Sequence, residues 1–225
     1  MPDECAYCGE PATTRDHVPP RKLFPTPRPS DLITVPSCEA CNTRLSAEEE
    51  YFIHVLLSAR EADTSVVQQL RVQRFSQNPT ARQVRMARRM LSCMREQEVR
   101  TAGGLYLGTA PAFTVDRIQF DKVIEKITHG LYFTEFGRRC PAGCVAQVLL
   151  KPPRSYFDDP DVMRIIDGSR GRSVGEQAFG YRIVHAIELP GLVFCCMLFF
   201  EAIPVVCTLR PPTEGIAQGG TGEIG

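Results

Sequence analysis

Four of the ten cysteines stand in two paired knuckles, Cys5-Ala6-Tyr7-Cys8 and Cys38-Glu39-Ala40-Cys41. Two Cys-x-x-Cys pairs separated in this way can bring four thiolates into a tetrahedron around zinc, with Zn–S near about 2.3 Å. Such a site has no open position for a substrate, so the zinc it predicts is structural and its binding energy is folding energy for a small module. Disulfides are the competing use of so many cysteines. The chain begins Met1-Pro2-Asp3-Glu4, without the basic-then-apolar order of a signal peptide, so the expected location is cytoplasmic and the expected use is metal.

Between the knuckles lies Asp16-His17-Val18-Pro19-Pro20, and Asn42 follows the last cysteine directly. A carboxylate, an amide oxygen and an imidazole in one stapled module are what metal-assisted phosphodiester hydrolysis needs. Magnesium or manganese takes carboxylate and amide oxygens and offsets the charge that builds on the scissile phosphate. A neutral histidine can take the proton of the attacking water, since its unperturbed pKa of about 6.5 leaves much of it in base form near neutrality. Taken singly, each residue has a plainer use: Asp16 capping a turn, His17 bonding to loop backbone, Asn42 bracing the knuckle. Their joint placement favours chemistry.

The set Cys5-x-x-Cys8, Asp16-His17 and Pro36-Ser37-Cys38-x-x-Cys41-Asn42 resembles the HNH endonucleases of bacterial or phage type. The likeness is to the zinc-containing ββα-metal, treble-clef-like branch that includes phage recombination endonuclease VII. It spans roughly the first 50 residues. It implies that Cys5, Cys8, Cys38 and Cys41 bind the structural zinc. Asp16 and Asn42 would hold a catalytic magnesium or manganese ion, and His17 would be the general base. Where that family carries a loop-bracing Asn upstream of the second knuckle, this sequence offers Asp31 or Ser37, and Asn42 replaces the family's final His.

The elements that must position these residues are legible in part. Residues 1 to 45 hold six prolines from Pro19 to Pro36 and little helical periodicity. Ser46 and Glu49 have capping-box spacing, and Phe52, Val55, Leu56 and Ala59 fall at i, i+3, i+4 and i+7, which predicts a helix over 46–62. From Thr64 to Arg95 there are seven arginines, among them Arg71, Arg74, Arg88 and Arg95, and no acidic residue. Asn78-Pro79 splits this stretch into two expected helices. In the second, Arg82, Arg85 and Arg89 share one face and Val84, Ala87, Leu91 and Met94 another. The basic face is either solvated or a phosphate-contacting surface, with Arg15, Arg21 and Lys22 flanking the Asp-His pair as further nucleic-acid contacts.

Thr101 to Pro111 reads as a linker. Asp116 to His129 predicts an amphipathic helix with Phe120, Val123, Ile124 and Ile127 on its stripe. Cys144–Lys151, Phe179–Glu188, Leu192–Phe200 and Val205–Leu209 read as strands, two of them joined at Pro190-Gly191. Leu192 to Phe200 suits a central strand or a homodimer surface, and 211–225 suits a flexible tail. His54 reads as a packed helix histidine, and His129 and His185 carry no role. Cys140-Pro-Ala-Gly-Cys144 is a faint second metal or redox pair, and Cys93, Cys195, Cys196 and Cys207 read as small buried hydrophobes.

The chain has 225 residues, 26 basic against 26 acidic, and 43 % hydrophobic content, which excludes a disordered chain. Its most apolar stretch contains Glu201 and Pro204, so no membrane span is expected. There is no phosphate-binding P-loop and no dinucleotide fingerprint. The sequence therefore predicts an α+β chain: a zinc-stapled ββα-metal (HNH) module over 1–62, a basic helical segment over 63–102, an α+β domain with a small antiparallel sheet over 103–210, and a tail. The expected function is a metal-dependent endonuclease acting on nucleic acid, with DNA as substrate. The alternative is a non-catalytic zinc-ribbon module that binds nucleic acid or protein.

Overall fold

Strand β1 (Thr14–Val18) pairs antiparallel with β2 (Ile33–Ser37), placing Asp16 opposite Val35 and His17 opposite Thr34. Ile33, Val35 and Val18 supply the buried side of this hairpin. Prolines in the intervening loop deny ladder hydrogen bonds, so the two strands stay short and Leu23 and Phe24 plug the loop into the core. The short helix α1 (Glu39–Thr43) follows, capped by Cys38, whose sulfur accepts from the Cys41 amide at 3.4 Å. The coordinates are a computed structural model that describes residues 3–76, 79–101, 103–186 and 191–211.

Helix α2 runs over Ser46–Ser58, four residues shorter than its periodicity predicts. Its end is fixed from outside. The Arg71 guanidinium donates to the carbonyls of Leu57 (2.9 and 2.8 Å), Ala59 and Ala62 and so satisfies groups that a continuing helix would have used. The expected Ser46–Glu49 capping box does not form: Leu45 holds the cap position with no side-chain bond, and Glu49 reaches elsewhere.

Helix α3 (Ser65–Arg71), capped by Thr64, runs into a π-helical turn over Val72–Ser76, and α4 (Ala81–Ser92) begins at a capping box of Thr80 and Gln83. Asn78 lies outside the described residues, and Thr80 takes the cap role expected of it. Two further expectations are corrected here. On α4 the core is met by Met86 and Met90, whereas Leu91 is 65 % exposed. The stretch read as a linker is a hairpin of β3 (Arg95–Arg100) and β4 (Tyr106–Ala112), turned at Gly104 with φ of +85°, so 63–102 is helical only as far as Ser92. No residue of either strand is buried, so no strong apolar alternation marks them.

Helix α5 (Arg117–Phe136) is capped by Asp116 and closed by Gly137 in the left-handed region, seven residues beyond the expected His129. After it come β5 (Val145–Leu150), the short helices α6 (Arg154–Phe157) and α7 (Pro160–Asp167), β6 (Ser173–Val174), β7 (Phe179–His185), β8 (Val193–Phe199) and β9 (Ile203–Arg210). They form one antiparallel sheet in the order β5-β9-β8-β7-β6, so β8 is the central strand, as one of its two readings has it. Residues 187–190, including Pro190, and the tail beyond Pro211 lie outside the described residues. Among the described residues no helix is long and apolar enough to cross a membrane.

The module and the sheet share one core. Phe52 of α2 packs against Phe120 of α5 at 4.9 Å and against Phe199 of β8 at 5.4 Å between ring centroids, and the buried cluster is continuous from Ala6 to Leu209. The segments 1–62 and 103–210 thus meet in one buried cluster. Inside it sits a buried carboxylate, Glu50, which pairs with Arg74 and, at 3.2 Å, with Lys22. Burial pushes the Glu50 carboxyl up, but Arg74 and Lys22 outweigh it and hold it below the usual carboxylate range. A carboxyl depressed by folding stabilises above its unfolded pKa and loses that contribution as pH falls through its folded one. Glu50→Gln should therefore lower unfolding free energy near neutrality by about 3 kcal/mol, by leaving Arg74 buried without its partner. In urea denaturation the gap between wild type and variant should narrow below about pH 4.

Candidate functional site

The sulfurs of Cys5, Cys8, Cys38 and Cys41 all lie within 4.8 Å of one another, and Cys8 and Cys38 are 3.7 Å apart. A tetrahedron with Zn–S near about 2.3 Å has edges of roughly 3.8 Å, so four sulfurs at this spacing can hold a metal ion such as zinc. Among the described residues this is the one such group of His, Cys, Asp and Glu side chains. Burial pushes the Cys5 thiol up, yet the backbone N–H groups of Cys38, Cys8 and Tyr7 more than offset it and bring it down to about 6. Cys41 moves the other way, raised by burial and by the neighbouring sulfurs. Four thiolates side by side repel one another unless a cation lies among them, so the cluster is suited to hold a metal ion.

Eight residues past the first knuckle the chain buries Asp16, which is 7 % exposed. Its Oδ2 accepts from the Tyr7 hydroxyl at 2.9 Å and from the Lys126 ammonium at 2.8 Å. Lys126, itself 7 % exposed, also donates to Glu49 Oε1 at 2.9 Å. Burial pushes the Lys126 ammonium down, but Glu49 and Asp16 outweigh it and hold it above the usual lysine range. Burial raises Glu49 more than Lys126 lowers it. Tyr7 is held protonated by burial and by the Asp16 charge, so it stays a donor. Tyr7 and Lys126 have no role that the sequence marks. Glu49 was masked by its apparent capping spacing, and Lys126 lies more than a hundred residues from Asp16, on an otherwise apolar stripe.

Asn42 donates its amide to Thr14 Oγ1 at 3.0 Å and to the Arg15 carbonyl at 3.3 Å. Thr14 and Asp16 share one face of β1, because strand side chains alternate, so Asn42 and Asp16 meet the same side of the hairpin. His17 leaves the strand on the opposite side and is half-buried; burial and the charges of Arg21 and Arg28 hold its pKa below the ordinary histidine value. It still reaches the edge of a narrow crevice shared with Tyr7, Glu49 and Lys126. The donor types suit a hard cation: the Asn42 amide oxygen remains when its nitrogen is spent, and Asp16 Oδ1 makes no hydrogen bond among the described residues.

The cations named from sequence divide into two groups. Arg15 is bonded to Thr34, Lys22 to Glu50 and Arg71 to the end of α2, and Arg74 is buried on Glu50. Arg21, Arg85 and Arg89 are exposed, as is Arg88, and Arg82 is half-buried. Asp31, considered as a loop brace, accepts the Gly175 amide at 3.0 and 3.1 Å and so ties the loop to the far sheet, whereas Ser37 is buried and donates to the Cys38 carbonyl. His54 is buried and bonds the Glu50 carbonyl at 2.8 Å, and His185 packs against Phe136. Cys140 and Cys144 lie 3.7 Å apart, Cys195 and Cys207 are buried, and Cys93 is exposed, contrary to its reading as a core residue. The chain matches no protein-family model, no curated protein and no solved structure.

The four-sulfur cluster makes a direct prediction. Elemental analysis should find one zinc per chain, and Cys41→Ser should lose it together with roughly 10 °C of Tm. Full zinc content in Cys41→Ser, or none in wild type, contradicts the site.

Proposed function

We propose that this chain is a metal-dependent, HNH-type endonuclease that hydrolyses phosphodiester bonds of DNA, with its reacting groups in the N-terminal hairpin and helix. The observation that carries this reading is the Asn42 bridge to β1. It ties the Asn42 side chain to the side of the hairpin that carries Asp16, beside four clustered sulfurs, while His17, on the strand's other side, reaches the crevice shared with Tyr7, Glu49 and Lys126.

In this reading Asp16 and Asn42 hold the divalent cation, and His17 accepts the proton of the attacking water. A magnesium or manganese ion there would polarise the scissile phosphate and offset its developing charge. Because burial and neighbouring arginines disfavour its charged form, His17 is neutral near pH 7 and has a lone pair to offer. Arg21 beside the hairpin, and Arg85, Arg88 and Arg89 on the exposed face of α4, would hold the strand by charge. One observation favours the alternative of a non-catalytic zinc module that binds nucleic acid: the Asp16 charge is already matched by Lys126, as a purely structural carboxylate would be.

Incubation with supercoiled plasmid separates the two. Wild type should nick it with magnesium or manganese and not with EDTA, and His17→Ala should lose at least about a hundredfold in rate with its zinc content unchanged. Equal nicking by His17→Ala removes the base from its role. Retained oligonucleotide binding with no nicking under any metal moves the function to the binding module.

A further inference from the structure

Lys126 comes from α5, outside the hairpin module, and its ammonium is held as a bound cation would be. It sits 2.8 Å from Asp16 and 2.9 Å from Glu49, with the Tyr7 ring centroid at 5.6 Å. The approach is built in by Gly130, one helical turn further on. A Cβ at Gly130 would meet the Val18 side chain at 2.5 Å and the Tyr7 hydroxyl oxygen at 3.3 Å, so only glycine lets α5 lie this close to β1. One ammonium serves two carboxylates, the buried Asp16 and the half-buried Glu49. A divalent ion in the same place would match both charges.

The two carboxylate oxygens converge on one point, the Lys126 nitrogen at 2.8 and 2.9 Å, so a hard cation that took the nitrogen's place would find both aimed at it and would draw them inward to its shorter bond length. There is room for it to leave. A cavity of about 470 Å³, bordered by Tyr7, Arg44, Glu48, Lys122 and His129, opens onto Lys126.

We propose that Lys126 is a tethered cation that keeps the place of the divalent ion between Asp16 and Glu49, that Glu49 is a ligand of that ion, and that ion entry and withdrawal of Lys126 are one event. This deepens the nuclease reading and rests on it for the purpose of the ion, while the binding itself is tested without any substrate. Free manganese is measured by electron paramagnetic resonance as the ion is titrated into the zinc-loaded full chain. Lys126→Met should bind one ion at least about tenfold more tightly than wild type, because the internal competitor is gone. Lys126→Arg, which keeps the charge, should bind as weakly as wild type, and adding Glu49→Gln to Lys126→Met should abolish the gain.

Equal affinity in wild type and Lys126→Met, or no binding by either, overturns the proposal. A second measurement uses wild type alone, so it holds even where the variant does not fold. Acetylation of Lys126, read by mass spectrometry, should be slow in the metal-free protein and rise with saturating manganese; an unchanged rate overturns the proposal. The two readings fail separately. Manganese binding with no cleavage of nucleic acid removes the nuclease and keeps the tethered cation, and nicking by a wild type that binds manganese no more weakly than Lys126→Met does the reverse.

Discussion

The close approach of four sulfurs is the constraint from which the N-terminal third of the chain follows. The second knuckle begins thirty residues after the first ends, and bringing the two together closes a loop whose prolines offer almost no hydrogen bonds of their own. Closure aligns β1 with β2, and the Cys38 sulfur then caps the helix that delivers Asn42 to β1. Without that staple the hairpin, only five residues on each strand, would be marginal in water. Asp16 and Asn42 therefore owe their relation to the four-cysteine cluster, which reaches each of them: the Tyr7 hydroxyl donates to Asp16, and the Asn42 amide N–H donates to the Cys38 carbonyl at 3.0 Å.

The second constraint is that the hairpin does not complete its own core. Val18, Leu23, Phe24 and Val35 are buried by elements from the remainder of the chain, and Phe52 stands where α2, α5 and β8 converge. That sharing explains why a charged residue more than a hundred positions away can lie on Asp16. It also explains why Arg71 and Arg74, which look in sequence like part of a basic surface, face inward to a helix end and to Glu50. Charge runs report surface only where nothing packs over them.

Periodicity made much of this fold legible. The stripe of α5, the apolar runs of the sheet and the paired cysteines each carry a signal that local residue order contains. What stayed hidden has one physical origin. The end of α2, the β3–β4 hairpin and the Lys126–Asp16–Glu49 cluster depend on long-range partners, or on strands that bury no residue and so have no strong apolar alternation to read. Glu49 shows the conflict directly: its spacing from Ser46 matches a local cap, and a buried ammonium from α5 wins it instead. Asp16, His17 and Asn42 are candidates by type and spacing alone, and the separation of Asp16 from His17 onto two sides of β1 is a property of the pleat.

Helix α5 also acts as a phase lock between distant parts of the molecule. Along it, Phe120, Val123, Ile124 and Ile127 set the rotation that fits the aromatic core, and that same rotation aims Lys126 and Gly130 at the hairpin. Each residue turns an α-helix by about 100°, so a single inserted or deleted residue between Phe120 and Lys126 cannot preserve both fittings at once. The length of this segment is thus as constrained as its composition, and a drift in its register would be felt at the carboxylate of Asp16 although no residue near the hairpin had changed.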